Sequence, residues 1–180
     1  MSDGLIRELP RLRRYARHNE AEDLRFAAFI KTRLNLSNAE LDAVVAEVTE
    51  EVWAKIECTS CGHCCRNLQI VVDDKDIQRM AARLGLTTKQ FSQKYVGVAE
   101  DRTKHFNASP CPFLDENNCC TAYEDRPQAC RDFPYLHAGN FRSRTLVMID
   151  NGALCPIVFH VWQELKQRFP TKMRSASTKK

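Results

Sequence analysis

The sequence predicts a mainly helical α+β protein, in which N-terminal helices precede a loop-rich cysteine-cluster domain with short strands, built around metal centres. Residues 1–57 contain no cysteine and carry apolar residues at helical spacing, whereas all nine cysteines come later. Pro, Asn and Asp, which favour loops, are dense over residues 106–135. We therefore expect an N-terminal helical region over 1–57, a metal-binding domain over 58–169 and a disordered basic tail over 170–180.

The N-terminal region carries three signals for helix starts. Pro10 can open a first helix. Residues 19–22 (NEAE) have the form of a capping box and predict a second helix, and residues 37–40 (SNAE) predict a third. The third start is followed by apolar residues at the spacing of one helical stripe: Leu41, Val44, Val45, Val48, Val52 and Ile56. Such a stripe indicates a packed core or a self-association surface.

The cysteine-containing region mixes strands and short helices. Residues 68–72 and 145–149 are rich in β-branched and apolar residues and predict strands. A helix is expected after residues 73–76 (DDKD), ending at Gly85, and Thr88 can cap another. Pro156 is placed to open a final amphipathic helix, which Pro170 stops.

The strongest chemical signal is the run CTSCGHCC over residues 58–65. Two cysteines separated by two residues can bend around one metal, and a third at the same spacing extends the wrap, as in bacterial ferredoxins. Gly62 supplies the backbone freedom that such a turn needs, and loop amides can donate to sulfur. Within this run His63 is open to three functional roles, as ligand, base or donor to a ligand, or is simply an exposed loop residue.

Cys64 and Cys65 are adjacent in the sequence, which raises the question whether their sulfurs bind the same metal centre. Side chains of neighbouring residues diverge in extended or loop backbone, so Cys64 and Cys65 are expected to serve different centres. Cys58 and Cys61 would then join Cys64 in one centre. The second centre would take Cys65 together with later cysteines.

The later cysteines are spread over four positions, and one of those positions is doubled. They are Cys111, Cys119, Cys120, Cys130 and Cys155. Cys155 precedes the proposed helix at Pro156, where the helix dipole favours a thiolate. With one member of the 119–120 pair spare, eight ligands remain, enough for two sets of four. Arg66, Arg126 and Arg131 lie beside cysteines and can offset thiolate charge or simply be solvated. A single cysteine such as Cys155 can instead be a small buried hydrophobe.

Composition limits the cellular compartments and the classes of binding partner that can be expected for this protein. The N-terminus lacks the apolar core of a signal peptide, no stretch is long enough to span a membrane, and nine is an odd number for complete disulfide pairing. We therefore expect a cytoplasmic protein with reduced thiols. The formal charge of +4 would fall to about zero once two four-thiolate sites were counted. Its basic groups are separated, with little aromatic interleaving, which argues against nucleic-acid binding.

These residues also carry a resemblance to a known family. The sequence resembles the CxxCxxCC (YkgJ-like) cysteine-cluster family, whose members are taken to chelate zinc or iron. The matching stretches are CTSCGHCCR at 58–66, DKDIQRMAARLGL at 74–86, CPFLDENNCCTAYEDRPQACRDFP at 111–134 and, more loosely, CPI at 155. The resemblance implies metal ligands at Cys58, Cys61, Cys64, Cys65, Cys111, Cys120 and Cys130. It favours Cys120 over Cys119, because the family cysteine stands three residues before a tyrosine, here Tyr123.

Three functions remain open at this point. The first is a protein that holds iron–sulfur clusters for redox or electron transfer, with a redox partner, since thiolate ligands suit such clusters. The second is a structural or interaction module stabilised by zinc, or by iron ions, with a protein partner. The third is a metal-dependent enzyme, because the cysteine-rich part is also similar to that of flagellin lysine methylases. The sequence contains no glycine-rich dinucleotide loop, P-loop or HExxH motif, and no catalytic residue can be assigned.

Overall fold

The computed structural model describes residues 4–59 and 61–171. It confirms a mainly helical α+β architecture: the described part is 57% helical, with eight helices and one two-stranded sheet. The helices are α1 (Leu9–Thr32), α2 (Asn38–Trp53), α3 (His63–Asn67), α4 (Asp74–Arg83), α5 (Thr88–Tyr95), α6 (Gln128–Asp132), α7 (Thr145–Gly152) and α8 (Pro156–Arg168). The strands are β1 (Val96–Val98) and β2 (Lys104–Phe106).

The chain forms two compact units. Unit 1 combines Met1–Val52 with Gly139–Lys180, and unit 2 is the continuous stretch Trp53–Ala138. The three-part organisation expected from the sequence, with a metal-binding domain over 58–169, stays a prediction. Most of the expected tail, residues 172–180, lies outside the described residues.

Unit 1 begins with one long helix instead of two. Pro10 lies in the first turn of α1, as expected, but residues 19–22 do not start a new helix. The side-chain amide of Asn19 donates to the carbonyl of Tyr15, one turn earlier, so it caps nothing and the helix runs on. The expected second helix start was therefore wrong. The buried face of α1 includes Leu12, Phe26 and Ile30, and α1 contacts both α7 and α8.

The capping box before α2 is confirmed. The backbone N–H of Ser37 donates to Glu40 Oε2 at 2.7 Å, and the N–H of Glu40 donates to Ser37 Oγ at 3.2 Å. The predicted stripe is buried at Leu41, Val45, Val48 and Val52, so it forms core. A buried stripe of this kind stabilises a fold by roughly 1.5–3 kcal/mol for each large side chain.

Residues 145–149, predicted as a strand, form helix α7. The side chains that α7 buries are Thr145 and Met148, three residues apart, while the intervening Leu146 and Val147 are about half exposed. This burial pattern has the helical period, not the alternation of a strand, so packing overrode the β propensity of the run. Helix α8 opens at Pro156, as expected, and ends at Arg168.

In unit 2, helix α4 follows the short helix α3. Asp73 and Asp76 form a reciprocal capping box at its start, and Gly85, with φ +65°, follows its end. Helix α5 is capped by Thr87 and not by Thr88, through a second capping box with Gln90. Strands β1 and β2 then pair antiparallel, with Gly97 opposite His105.

The predicted strand over residues 68–72 is only partly formed. Val71 makes a single antiparallel bridge to His105. The N–H of Phe106 donates to the carbonyl of Ile70, and the N–H of Val72 donates to that of Lys104. The segment therefore lies beside β2 as a third extended chain without becoming a full strand.

The core of unit 2 is aromatic and lies next to cysteines. Phe91, Tyr95, Phe106 and Phe113 form a connected group, with Phe113 contacting the other three rings at centroid distances of 5.1–6.2 Å. Partly buried side chains packed against this core include Cys111, Cys120 and Cys130. The fold thereby holds three sulfurs at the edge of its apolar interior.

Candidate metal centre

The first cysteine loop turns at the glycine that the sequence singled out. The N–H of Cys61 donates to the carbonyl of Cys58 at 3.1 Å, which closes the turn between the first two cysteines. Gly62 follows in the left-handed region at φ +64°, a conformation that glycine adopts without strain. Helix α3 starts at His63 and carries the next two cysteines.

Cys64 and Cys65 lie on a helical turn and do not diverge. Their Sγ atoms are 3.9 Å apart, within hydrogen-bonding distance for thiols. Two thiolates on one tetrahedral ion, each about 2.3 Å from the metal, would be about 3.8 Å apart. The premise that extended backbone separates these sulfurs was wrong, because residues 63–67 are helical. Which sulfurs share a centre stays a prediction.

A backbone hydrogen bond joins the second group of cysteines to the first. The N–H of Cys111 donates to the carbonyl of Cys65 at 2.7 Å. From there the chain forms a tight hairpin, in which Thr121 N–H donates to the Phe113 carbonyl at 2.8 Å and Leu114 bridges Cys120.

Asp115 shapes the tip of this hairpin. Its Oδ1 accepts from the N–H groups of Asn117 and Cys119, at 2.9 and 2.8 Å. Cys119 is exposed and its thiol faces the Asn117 carbonyl, whereas Cys120 packs against the core. Neighbouring residues of an extended pair point to opposite sides, which accounts for the difference. This placement supports Cys120 as the ligand, and the ligand assignment stays a prediction.

A buried carboxylate fixes the loop that leads to Cys130. Asp76 is 3% exposed, and its Oδ1 accepts from the Gln128 N–H at 3.0 Å and from Arg79 at 2.6 Å. Arg79 also donates to the carbonyls of Asp125 and Arg126. Cys130 lies in α6, which begins at Gln128. The network therefore ties α4 to the start of the helix that carries this sulfur.

The sulfurs of unit 2 interact electrostatically. Burial raises the pKa of Cys111 to about 11 and that of Cys130 to about 12, because it disfavours the thiolate. A hydrogen bond from Cys64 lowers the pKa of Cys65 to about 7. After burial, the Cys65 thiolate is a further cause of raised pKa at five others: Cys58, Cys61, Cys111, Cys120 and Cys130. The charge of Cys65 thus acts on each of these five thiols of unit 2.

Backbone amides donate to four of these sulfurs, including that of Cys65, which accepts from its own N–H. The N–H of His63 serves Cys61. Those of Phe113 and Leu114 serve Cys111, and that of Ala122 serves Cys120. The sequence had predicted such donation for the first loop. Amide donors stabilise a thiolate and tune a metal bound to it.

Arginines offset part of the thiolate charge. Arg66 stabilises the thiolates of Cys61 and Cys65, and Arg126 acts likewise on three others: Cys58, Cys120 and Cys130. The Arg126 guanidinium also lies 3.8 Å from the centroid of the Tyr123 ring. Arg131, also a candidate, donates to the carbonyls of Glu124 and Arg126.

Sequence reasoning missed Arg83, Asp76 and Arg79. Arg83 acts electrostatically on Cys120 and donates to the Thr121 carbonyl at 2.9 Å. The regular polar spacing of α4 could have indicated that one of its faces meets a loop, but not which loop.

Cys155 belongs to unit 1. It is 7% exposed and directly precedes α8, as the sequence predicted. Its role as an eighth ligand stays a prediction.

The donor atoms of unit 2 are of the types that bind zinc or iron. Soft thiolates with amide and guanidinium support are typical of zinc and iron sites. Among residues 4–59 and 61–171, however, no three Cys, His, Asp or Glu side chains stand close enough together to hold an ion as they are placed. Metal binding therefore requires cysteine side chains of unit 2 to reorient.

Comparison with known proteins identifies this region. Within the described residues no helix is both long enough and apolar enough to span a membrane. No solved structure matches the chain significantly. A family model described as a "putative zinc- or iron-chelating domain" matches residues 57–151, more than half of the chain. With the cysteine loops of unit 2 inside the matched range, the chain belongs to the CxxCxxCC family of zinc- or iron-chelating domains.

Proposed function

We propose that unit 2 holds zinc or iron ions through thiolates of the seven cysteines at positions 58, 61, 64, 65, 111, 120 and 130. The observation that carries this proposal is the 3.9 Å separation of the Cys64 and Cys65 sulfurs. It matches the distance between two thiolates on one tetrahedral ion. In a cubane iron–sulfur cluster each iron takes a single cysteine, which would hold neighbouring thiolates further apart.

The bound metal would act first as a structural element. The seven cysteines lie on three short segments, which begin near Cys58, Cys111 and Cys130. The only α-helices in these described segments are the five-residue helices α3 and α6. Structural metal sites contribute folding free energy directly, because the unfolded chain has no preformed site. Unit 2 would then serve as a metal-stabilised module that presents its loops to a protein partner.

A second candidate is an iron–sulfur centre for electron transfer to a redox partner. The amide donors to Cys61, Cys111 and Cys120 favour it, since hydrogen bonds to cluster sulfurs set the reduction potential. Both candidates need reduced thiols, and we propose a cytoplasmic location for that reason.

Anaerobic purification of the full chain, followed by metal and acid-labile sulfide analysis and a visible spectrum, tests the proposal. Stoichiometric zinc or iron without sulfide is expected. Iron with equimolar sulfide and a colour that dithionite bleaches would favour the second candidate. A folded, monodisperse protein without zinc or iron would refute both.

The doubled cysteine provides a matched pair of variants. Cys120→Ser is expected to lower the metal content, whereas Cys119→Ser is expected to leave it unchanged, because Cys119 is exposed at the hairpin tip. Equal losses in the two variants would contradict the assignment of Cys120.

A further inference from the structure

His63 carries a buried ring nitrogen that has no partner in the part of the chain that the structure describes. Its Nδ1 is shielded from solvent and has no hydrogen-bond partner among the described residues. Burying an unpaired polar atom is unfavourable, so native structures rarely keep one without a bound ion or water. The side chain that carries it lies inside the cysteine loop.

Backbone contacts fix His63 at this place. Its N–H donates to the sulfur of Cys61. Its carbonyl accepts from the side chain of Asn67 at 2.8 Å, one turn further along α3. The residue before it, Gly62, is held at φ +64°. The backbone of His63 is thus held on both its N–H and its carbonyl side, next to one predicted ligand and directly before another, Cys64.

The donor count of unit 2 also leaves room for one more ligand. Unit 2 contains seven of the eight cysteines predicted to bind metal, and Cys155 belongs to unit 1. Two tetrahedral ions take eight donors if none is shared. Imidazole nitrogen is a common partner of thiolates at zinc, and three cysteines with one histidine form a frequent structural site.

We propose that His63 Nδ1 is a ligand of the metal ion held by the first cysteine loop, which makes it the eighth donor within unit 2. This inference rests on the proposed function, since it needs a thiolate-held ion at that loop. It implies a site of mixed nitrogen and sulfur donors and no requirement for Cys155 in metal binding.

The first test uses the unaltered chain. Full-length protein labelled with ¹⁵N-histidine and loaded with Zn²⁺ is compared with the chelator-treated protein in long-range ¹H–¹⁵N correlation spectra. The Nδ1 resonance of His63 is expected to show the shift of a metal-bound nitrogen. A His63 ring with the spectrum of a free imidazole, in protein that has taken up zinc, would overturn the inference and leave the proposed function standing.

The second test replaces the ring and uses Co²⁺ as the probe. His63→Asn is expected to weaken Co²⁺ binding by about tenfold or more and to shift its ligand-field absorption bands. His18→Asn, on the exposed surface of α1, is the matched control and should change neither. Unchanged bands and affinity in His63→Asn would show that a water satisfies Nδ1. Failure of the parent protein to bind Co²⁺, Zn²⁺ or Fe²⁺ would instead refute the proposed function along with this inference.

Discussion

The backbone N–H of Cys111 donates a 2.7 Å hydrogen bond to the carbonyl of Cys65. This contact joins two cysteine segments that are far apart in the sequence. Because the donor and acceptor are backbone atoms, the contact does not depend on the ionisation of either thiol. The two segments are therefore held together by the fold of unit 2, and a metal needs only to reorient side chains.

Replacing Asp76 is expected to destabilise unit 2. Asp76→Ala removes half of the capping box of α4, the acceptor of the Gln128 N–H and one of the three acceptors of Arg79. The free energy of unfolding should fall by about 2–4 kcal/mol. Urea denaturation measures this loss, and Trp53 in unit 2 and Trp162 in unit 1 offer separate fluorescence probes. Asp74→Ala is the matched control: Asp74 lies in the same helical turn but is exposed, so a much smaller loss is expected. Equal losses would contradict the role of Asp76.

Substituting Gly62 is expected to impair both stability and metal binding. An alanine there would be strained at φ +64°, and its Cβ would meet Arg66 Nη1 at 2.5 Å and Asn118 Cβ at 3.2 Å. Strain alone costs about 1 kcal/mol. Gly85→Ala has the same strain, at φ +65°, and no described atom within 4 Å. Thermal unfolding should show a loss in both variants, whereas zinc titration should show weaker binding only in Gly62→Ala. Unchanged zinc affinity would show that the loop tolerates the added methyl group.

Metal binding is expected to strengthen as pH rises. The raised pKa values of Cys111 and Cys130, about 11 and 12, keep both thiols protonated near neutral pH, and a metal must displace those protons. The apparent affinity should increase about tenfold per pH unit for each proton released. Calorimetric titration with zinc in buffers of different ionisation enthalpy counts these protons. An affinity that is constant between about pH 6.5 and 8.5 would contradict this expectation.

When a chelator removes the metal, raising the pH is expected to destabilise the fold through the same two thiols, Cys111 and Cys130. Below about pH 9, the pKa of a cysteine in the unfolded chain, these thiols are protonated in both the folded and the unfolded state. Their contribution to stability is then fully present. Above that pH the unfolded chain loses protons first, so the free energy of unfolding should decrease as pH rises towards about 11. Denaturation with EDTA at increasing pH measures this, and added zinc should reverse the trend.

Arg142 is expected to stabilise unit 1. Its guanidinium donates to the carbonyls of Ile30 and Leu36, at the end of α1 and just beyond it. Arg142→Ala would remove these partners and should lower the stability of unit 1 by about 2 kcal/mol. The fluorescence of Trp162 in a Trp53→Phe background reports on this unit. Arg17→Ala, on the exposed surface of α1, serves as the control. A loss of the same size in that variant would argue against a specific role for Arg142.

Local signals predicted the helices well and the strands poorly. The helix starts predicted at residues 37–40 and 73–76 were correct, because the capping hydrogen bonds that form there lie within four residues of sequence. Residues 145–149 were misassigned because their burial is decided by packing within unit 1 and not by propensity. Asn19 has the right residue type for a cap, yet it continues a helix that tertiary contacts stabilise.

The sequence indicated which cysteines to expect in the candidate site, and their binding to metal stays a prediction. The contacts that support these cysteines could not be predicted. The spacing of Cys58, Cys61 and Cys64 is itself the chemical signal, and the later cysteines followed from the family resemblance. The Asp76–Arg79 network spans more than forty residues of sequence, so no local pattern reveals it. The short distance between the Sγ atoms of Cys64 and Cys65 depends on the helical turn of α3. That helix was not predicted from the cysteine-rich run of sequence.

The interleaved order of the two units has a consequence for biosynthesis. Unit 2 is one uninterrupted stretch, whereas unit 1 needs α7 and α8 to contact α1. During translation, every cysteine segment of unit 2 emerges from the ribosome before α7 and α8, the second half of unit 1. Zinc or iron can therefore bind to unit 2 in the nascent chain. A shortage of either ion would affect unit 2 before α1 can contact α7 and α8.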